Sequence, residues 1–186
     1  MGQKTGKFFI VALVFCCIIL SVTGCGEAEK EYNKAVELME NGKYEDCLKH
    51  FADAIKKNSE KAEYYIAYGT ALNRTGRYKE AAGEFGKAYQ DTDNQISRQN
   101  NKRLYLGQAV AYYGMGESKK VLEACDKALS YGKDQDVDIK IQSIKASAKL
   151  LMGDISGAEG IYNDIIKEDS SQDGIYLARG RLYQMQ

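Results

Sequence analysis

Four glycines punctuate this chain at Gly42, Gly76, Gly116 and Gly153, with spacings of 34, 40 and 37 residues, and similar side chains surround each. The stretch 63–90, EYYIAYGTALNRTGRYKEAAGEFGKAYQ, shows the pattern most clearly. Tyr65, Tyr68, Gly69 and Leu72 precede Gly76, and Tyr78, Ala81, Phe85 and Ala88 follow it. Apolar residues at i, i+3, i+4 and i+7 form one face of an amphipathic helix. The stretch therefore reads as two helices joined by a turn at Thr75, Gly76 and Arg77. One such pair cannot bury both of its apolar faces, whereas stacked copies bury a continuous core.

The other copies keep the register. Tyr44, Cys47, Phe51 and Ala54 follow Gly42; Ser118, Val121, Cys125 and Ala128 follow Gly116; Ile155, Ala158, Tyr162 and Ile165 follow Gly153. The preceding helices align as Ala35-x2-Leu38, Gly69-x2-Leu72, Ala109-x2-Tyr112 and Ala146-x2-Lys149, and a fifth first helix carries Tyr176, Arg179, Gly180 and Tyr183. Small residues at Ala35, Gly69, Ala109, Ala146 and Gly180 let a first helix approach its neighbour, and Ala81, Ala88, Ala128 and Ala158 do so for the second helices. Lys149 stands where a large residue is expected, which weakens the fourth copy. The two longer periods are expected to lengthen first helices, with Asp93 and Asp134 as N-caps. The absence of proline fits long helices.

Tyr65-x2-Tyr68-Gly69-x2-Leu72 with Ala81-x3-Phe85-x2-Ala88 resembles the tetratricopeptide repeat (TPR), a helix–turn–helix unit of 34 residues. The family's proline after the second helix is missing throughout. The resemblance covers roughly 28–186 and implies an all-α TPR superhelical solenoid of four helix-turn-helix pairs plus a C-terminal capping helix. The repeats are expected at about 28–61, 62–95, 96–135 and 136–172, with a half repeat at 173–186.

The first residues differ from the rest. Lys4 and Lys7 precede an unbroken apolar run of 13 residues at 8–20, and Ser21, Val22, Thr23, Gly24 and Cys25 follow. This is the layout of a secretory signal peptide, too short for a membrane span of about 20 residues. Val22-Thr23-Gly24-Cys25 resembles the bacterial lipobox. That resemblance implies removal of 1–24 and a thioether-linked diacylglyceride on Cys25, with 25–27 as anchor and linker. Two or more acyl chains hold a protein on a membrane where one is marginal. The expected location is the bacterial cell envelope, on the extracytoplasmic side.

Little in the chain suggests catalysis. His50 is the only histidine, and it reads as a solvated helix position. Cys47 and Cys125 stand at core positions of copies one and three and read as free thiols. Ser-His-Asp, phosphate-loop and zinc spacings are absent, so no enzyme activity, metal or cofactor is expected. The 26 Lys+Arg balance the 26 Asp+Glu, which argues against nucleic-acid binding. Lys56-Lys57, Lys119-Lys120 and Arg98…Lys102-Arg103 read as solvated faces.

In TPR arrays the first helices form the concave wall. Carried over, the resemblance places Tyr32, Val36 and Met39 there from the first copy, and Ile66, Thr70, Asn73 and Arg74 from the second. Arg103, Leu106, Val110 and Tyr113 follow from the third, and Ser143, Ser147 and Leu150 from the fourth. Asn73, Arg74, Arg103 and Tyr113 are the residues packing explains least. The Lys-Asn carboxylate clamp of some TPR proteins is missing, since Tyr32, Val36 and Ile66 occupy its places. The mixture suits a protein or peptide partner. The expected function is a lipid-anchored interaction scaffold or assembly factor, a class that includes the pilotin-like TPR lipoproteins. The alternative is a ligand-binding lipoprotein that captures a peptide or cell-wall fragment.

Overall fold

A computed structural model describes residues 26–90, 96–169, 171, 175–176 and 179–180. The signal segment 1–24, Cys25 and Asp93 lie outside the described residues. Among those residues every regular element is an α-helix. They are α1 (26–40), α2 (Tyr44–Lys57), α3 (Ala62–Arg74), α4 (Tyr78–Gln90), α5 (Arg98–Gly114), α6 (Ser118–Ser130), α7 (Gln135–Leu151) and α8 (Ile155–Glu168). Helical residues follow at 175–176 and 179–180. The first helices α3, α5 and α7 pack on their own second helices, α3 packs on α5 and α5 on α7, and the second helices α2, α4 and α6 each pack on the following first helix, giving the expected four-pair solenoid.

The turn inside each pair is the same structure four times. Gly42, Gly76, Gly116 and Gly153 have φ of 72, 76, 74 and 77°, a left-handed conformation that costs glycine nothing. The following N–H donates to the carbonyl five residues back: Lys43 to Leu38, Arg77 to Leu72, Glu117 to Tyr112, each at 2.9 Å, and Asp154 to Lys149, also at 2.9 Å. This Schellman ending satisfies the last carbonyls of the first helix and reverses the chain. Lys149 is therefore accommodated by charge. Its ammonium donates to Asp154 Oδ2 at 2.7 Å, while Asp154 Oδ1 caps α8 by accepting from Gly157 N–H at 2.9 Å.

The predicted small residues are where the helices meet. Ala35, Ala81, Ala88, Ala109, Ala128, Ala146 and Ala158 are fully enclosed. Gly180 is the exception: it is exposed, with nothing within 4 Å of a Cβ placed on it. Elsewhere the small residue receives its own second helix, and no second helix among the described residues packs on this last one. The tightest fit is at Phe85, whose ring lies between α3 and α5. A Cβ on Gly69 would sit 2.9 Å from that ring, and one on Gly107 would sit closer still. Two turns along, Gly114 receives the ring of Tyr78 in the same way.

The longer periods lengthen the first helices, as expected: α5 and α7 have 17 residues against 13 in α3. Asp134 caps α7 through Val137 N–H, and Ser97 caps α5 through Asn100 N–H. The extension explains why Lys102 is not solvated. It is only 4% exposed; its ammonium donates to Gly132 O at 2.6 Å and pairs with Asp138 Oδ1 at 2.5 Å. The buried pair ties α5 to the start of α7, and removing either partner would leave an uncompensated charge.

At the other end, residues 26 and 27, expected as linker, are helical and belong to α1. His50 is half-buried rather than solvated, with Nδ1 2.8 Å from Glu31 Oε2 across to α1. Cys47 and Cys125 are free, buried thiols; burial pushes the Cys125 thiol up to about 12.

The Phe85 contact yields a stability prediction. Gly107→Ala forces a methyl into the ring and should destabilise by about 1–3 kcal/mol. Gly83→Ala, on open α4 surface, should be neutral or stabilise by up to about 1 kcal/mol through helix propensity. Urea unfolding followed by circular dichroism reads both; equal effects would mean that Phe85 is not a tight wedge.

Candidate interaction groove

The first helices α1, α3, α5 and α7 enclose a groove of about 980 Å³, closed at the far end by Ile175. Its floor is apolar: Tyr32, Val36, Met39, Ile66, Ala67, Leu106, Val110, Ile139 and Ile144. Its charged groups are Glu40, Glu63, Arg74, Arg103 and Lys140. Thr70, Asn73, Asn100, Gly107 and Ser143 complete the lining. Packing explains why apolar side chains face inward here. The second helices stand behind the first, so each first helix has one face on the core and one open to the concavity.

The sequence-predicted residues divide into two sets. Tyr32, Ile66, Thr70, Asn73, Arg74, Arg103, Leu106, Val110 and Ser143 line the groove, with Val36 and Met39. Tyr113, Ser147 and Leu150 do not. Tyr113 is 41% exposed in the last turn of α5, beyond Val110. Leu150 packs into the core of the fourth pair. The Ser147 hydroxyl donates to Ser143 O at 2.9 Å, Ser143 to Ile139 O at 2.7 Å and Thr70 to Ile66 O at 2.7 Å. These i−4 bonds inside their own helices satisfy the hydroxyls locally.

Asn73, which packing was expected to explain least, is tied into the structure. Its Nδ2 donates to Gly107 O at 2.8 Å, bridging α3 to α5. Its Oδ1 is enclosed and has no hydrogen-bond partner among the described residues. Asn73 is thus a strut between two first helices, made reachable because Gly107 has no side chain. Arg74 and Arg103 are exposed. Glu63 and Arg103 lie close enough to the Tyr32 hydroxyl to act on it. The Tyr32 hydroxyl is pushed above its ordinary range mainly by burial, then by Glu63, with Arg103 opposing.

Glu63 and Lys140 were not anticipated, though a signal existed. Both stand 13 residues before a turn glycine, as Arg103 does. Extending that offset from the third copy to its neighbours finds them. The same position runs Glu63, Arg103, Lys140 along the groove, acidic on α3 and basic on α5 and α7. Ile139 and Ile175 had no such signal. They belong to the separate apolar cluster of the fourth pair and reach the groove from its end.

Residues 32–101 match the family model described as tetratricopeptide repeat. Two rice (Oryza sativa subsp. japonica) proteins, the DnaJ protein P58IPK homologs B and A, are 27% and 28% identical over 82% of this chain. The chain spans about a third of their length, 33% in each. Among solved structures, the chain resembles MamA 41-end from Desulfovibrio magneticus RS-1, with TM-score 0.65, 21% identity, and 79% and 78% of the two chains covered. It also resembles YrrB, described as a TPR protein with an unusual peptide-binding site, with TM-score 0.64, 18% identity, and 83% and 75% covered. PilF of Pseudomonas aeruginosa superposes with TM-score 0.72, at 13% identity, over 88% and 70%. Architecture and comparisons agree on the fold, an all-α TPR superhelical solenoid.

The strut and the rim arginines should separate in a stability measurement. Asn73→Ala loses an interhelical hydrogen bond and should cost about 0.5–1.5 kcal/mol. Arg74→Ala and Arg103→Ala remove exposed groups and should stay within about 0.5 kcal/mol of the parent. Thermal unfolding reads all three. A loss at the arginines matching that at Asn73 would make them structural rather than available to a partner.

Proposed function

We propose that this protein is an extracytoplasmic, membrane-anchored scaffold that holds another protein, or a peptide segment of one, in the concave groove. The observation that carries this reading is the groove itself: a continuous apolar floor across four first helices, edged by arginine and lysine on one part and glutamate on another. Such a surface offers area for apolar anchors and charged groups to orient them, the division of labour found at protein interfaces. Arg74 and Arg103 can each make paired hydrogen bonds to a carboxylate. The structural likeness to a TPR protein with a peptide-binding site supports the same reading. TPR solenoids generally work by binding rather than catalysis. Among the described residues no group of three or more His, Cys, Asp or Glu is placed to hold a metal.

The anchoring half of the proposal rests on the lipobox-like Val22-Thr23-Gly24-Cys25 after a signal-type segment. No helix among the described residues is long and apolar enough to cross a membrane.

One experiment with three variants tests both halves. Cys25→Ser should abolish labelling by an alkynyl fatty acid and leave precursor uncleaved at Gly24. Arg74→Glu with Arg103→Glu should leave labelling intact and abolish capture of the partner from native membranes. Lys79→Ala with Lys119→Ala, on the outer helices, should preserve both. Normal maturation of Cys25→Ser would overturn the anchor. Loss of capture only in the outer-helix pair would move the binding surface to the convex face.

A further inference from the structure

The start of α1 is locked to the rest of the solenoid. Ala28 is fully buried against Ala54 and Tyr64. Glu29 accepts from Lys61 Nζ at 2.9 Å and from the Tyr64 hydroxyl at 3.0 Å. Tyr32 stacks on Tyr64 with ring centroids 4.7 Å apart. Glu31 binds His50 at 2.8 Å and Lys57 at 3.2 Å. These hydrogen bonds hold the carboxyls of both Glu29 and Glu31 below the ordinary carboxylate range. From Ala28 onward, α1 therefore has no freedom to swing away from α2 and α3.

Cys25 precedes Ala28 by three residues in sequence. Consecutive Cα atoms are about 3.8 Å apart, so Cys25 can lie no more than about 11 Å from that buried alanine. Resting on the reading of Cys25 as the acylated residue, we propose that the solenoid is tethered without a spacer. Its edge formed by the start of α1 and the α2–α3 loop, 58–61, is held against the headgroup layer of the bilayer. The turns at Gly42, Gly76, Gly116 and Gly153 form the opposite edge. The Gly42 turn lies about 22 Å away along α1 at 1.5 Å per residue. The groove is then presented at a fixed height and orientation above the membrane, with exposed Leu151 and Met152 at its outer edge.

The tether, not charge, sets this pose. The lysines near the membrane edge are balanced by acids: Lys57 pairs with Glu27 and Glu31, Lys61 pairs with Glu29 and Glu63, and the exposed Lys30 and Lys56 are offset by Glu60 and Asp53. The edge thus offers little net attraction for anionic lipid, and the pose is independent of lipid charge.

The test uses the full chain, acylated in cells and reconstituted into vesicles of phosphatidylcholine, with or without phosphatidylglycerol. A fluorophore is placed at Glu60→Cys or at Lys43→Cys, both exposed, and energy transfer to a headgroup-labelled lipid is measured. Transfer should be several-fold stronger from Glu60→Cys in both vesicle types. Inserting about 20 Gly/Ser residues between Gly26 and Glu27, a flexible coil of about 25 Å, should erase most of the difference. Acylated, floating protein with equal transfer from the two positions would overturn the spacer-free pose and leave the anchor standing. A difference seen only with phosphatidylglycerol would replace the tether by charge. Protein without acyl label at Cys25 would overturn the anchor and the pose together.

Discussion

The structure depends on one aromatic ring fitted between two glycines. Phe85 on α4 lies where α3 and α5 come together, and neither Gly69 nor Gly107 could carry even a methyl there without displacing it. Interiors are packed at crystal-like density, so the ring fixes the separation of the two first helices. Tyr78 over Gly114 repeats the fit two turns away and fixes the relative rotation. The same positions elsewhere trade size against size. The ninth residue after each turn glycine is Phe51, Phe85, Cys125 and Tyr162, and the ninth before the turn glycines of copies two, three and four is Ala67, Gly107 and Ile144. At these offsets phenylalanine is matched with alanine or glycine, and cysteine with isoleucine. Because Gly107 is bare, Asn73 reaches its carbonyl, and the concave wall follows from that close approach.

Ionic contacts finish what the apolar core leaves open. Glu29 with Lys61 and Tyr64 closes the first pair, Lys102 with Asp138 braces the longer third and fourth first helices, and Lys149 with Asp154 holds the last turn. Carboxyls of Glu29, Glu31 and Asp154 are all held below their ordinary range, first by a side-chain hydrogen bond from Lys61, His50 and Lys149 respectively. A depressed carboxyl stabilises the fold above its unfolded pKa, and that stabilisation is lost as pH falls through the folded value. Acid therefore weakens the contacts of Glu29 and Glu31 at one end of the solenoid and of Asp154 at the other.

The fold was legible because its determinants are periodic. Turn glycines, small contact residues and alternating aromatic positions recur at fixed offsets, and each offset corresponds to a repeated contact. The groove was legible only in part. Which face of a first helix points inward follows from the repeat, and Ile66, Arg74, Arg103 and Val110 stand on that face. What a polar side chain does there depends on a neighbour far away in sequence. Asn73 is a strut because of Gly107, Lys102 is buried because of Asp138, and His50 is paired because of Glu31. Periodicity within one helix carries no trace of those partners. Tyr113 lies one turn beyond Val110, exposed near the end of α5, and only the assembled wall shows where the groove residues stop.

The account turns on the concave wall being the surface that meets a partner, and site-resolved cross-linking tests that directly. A photoreactive phenylalanine analogue is installed at Val110, on the groove floor, or at Glu123, on the exposed face of α6, and native membranes are irradiated. The account predicts one discrete cross-linked species from Val110 and none from Glu123. A discrete species from Glu123, with Val110 silent, would contradict it.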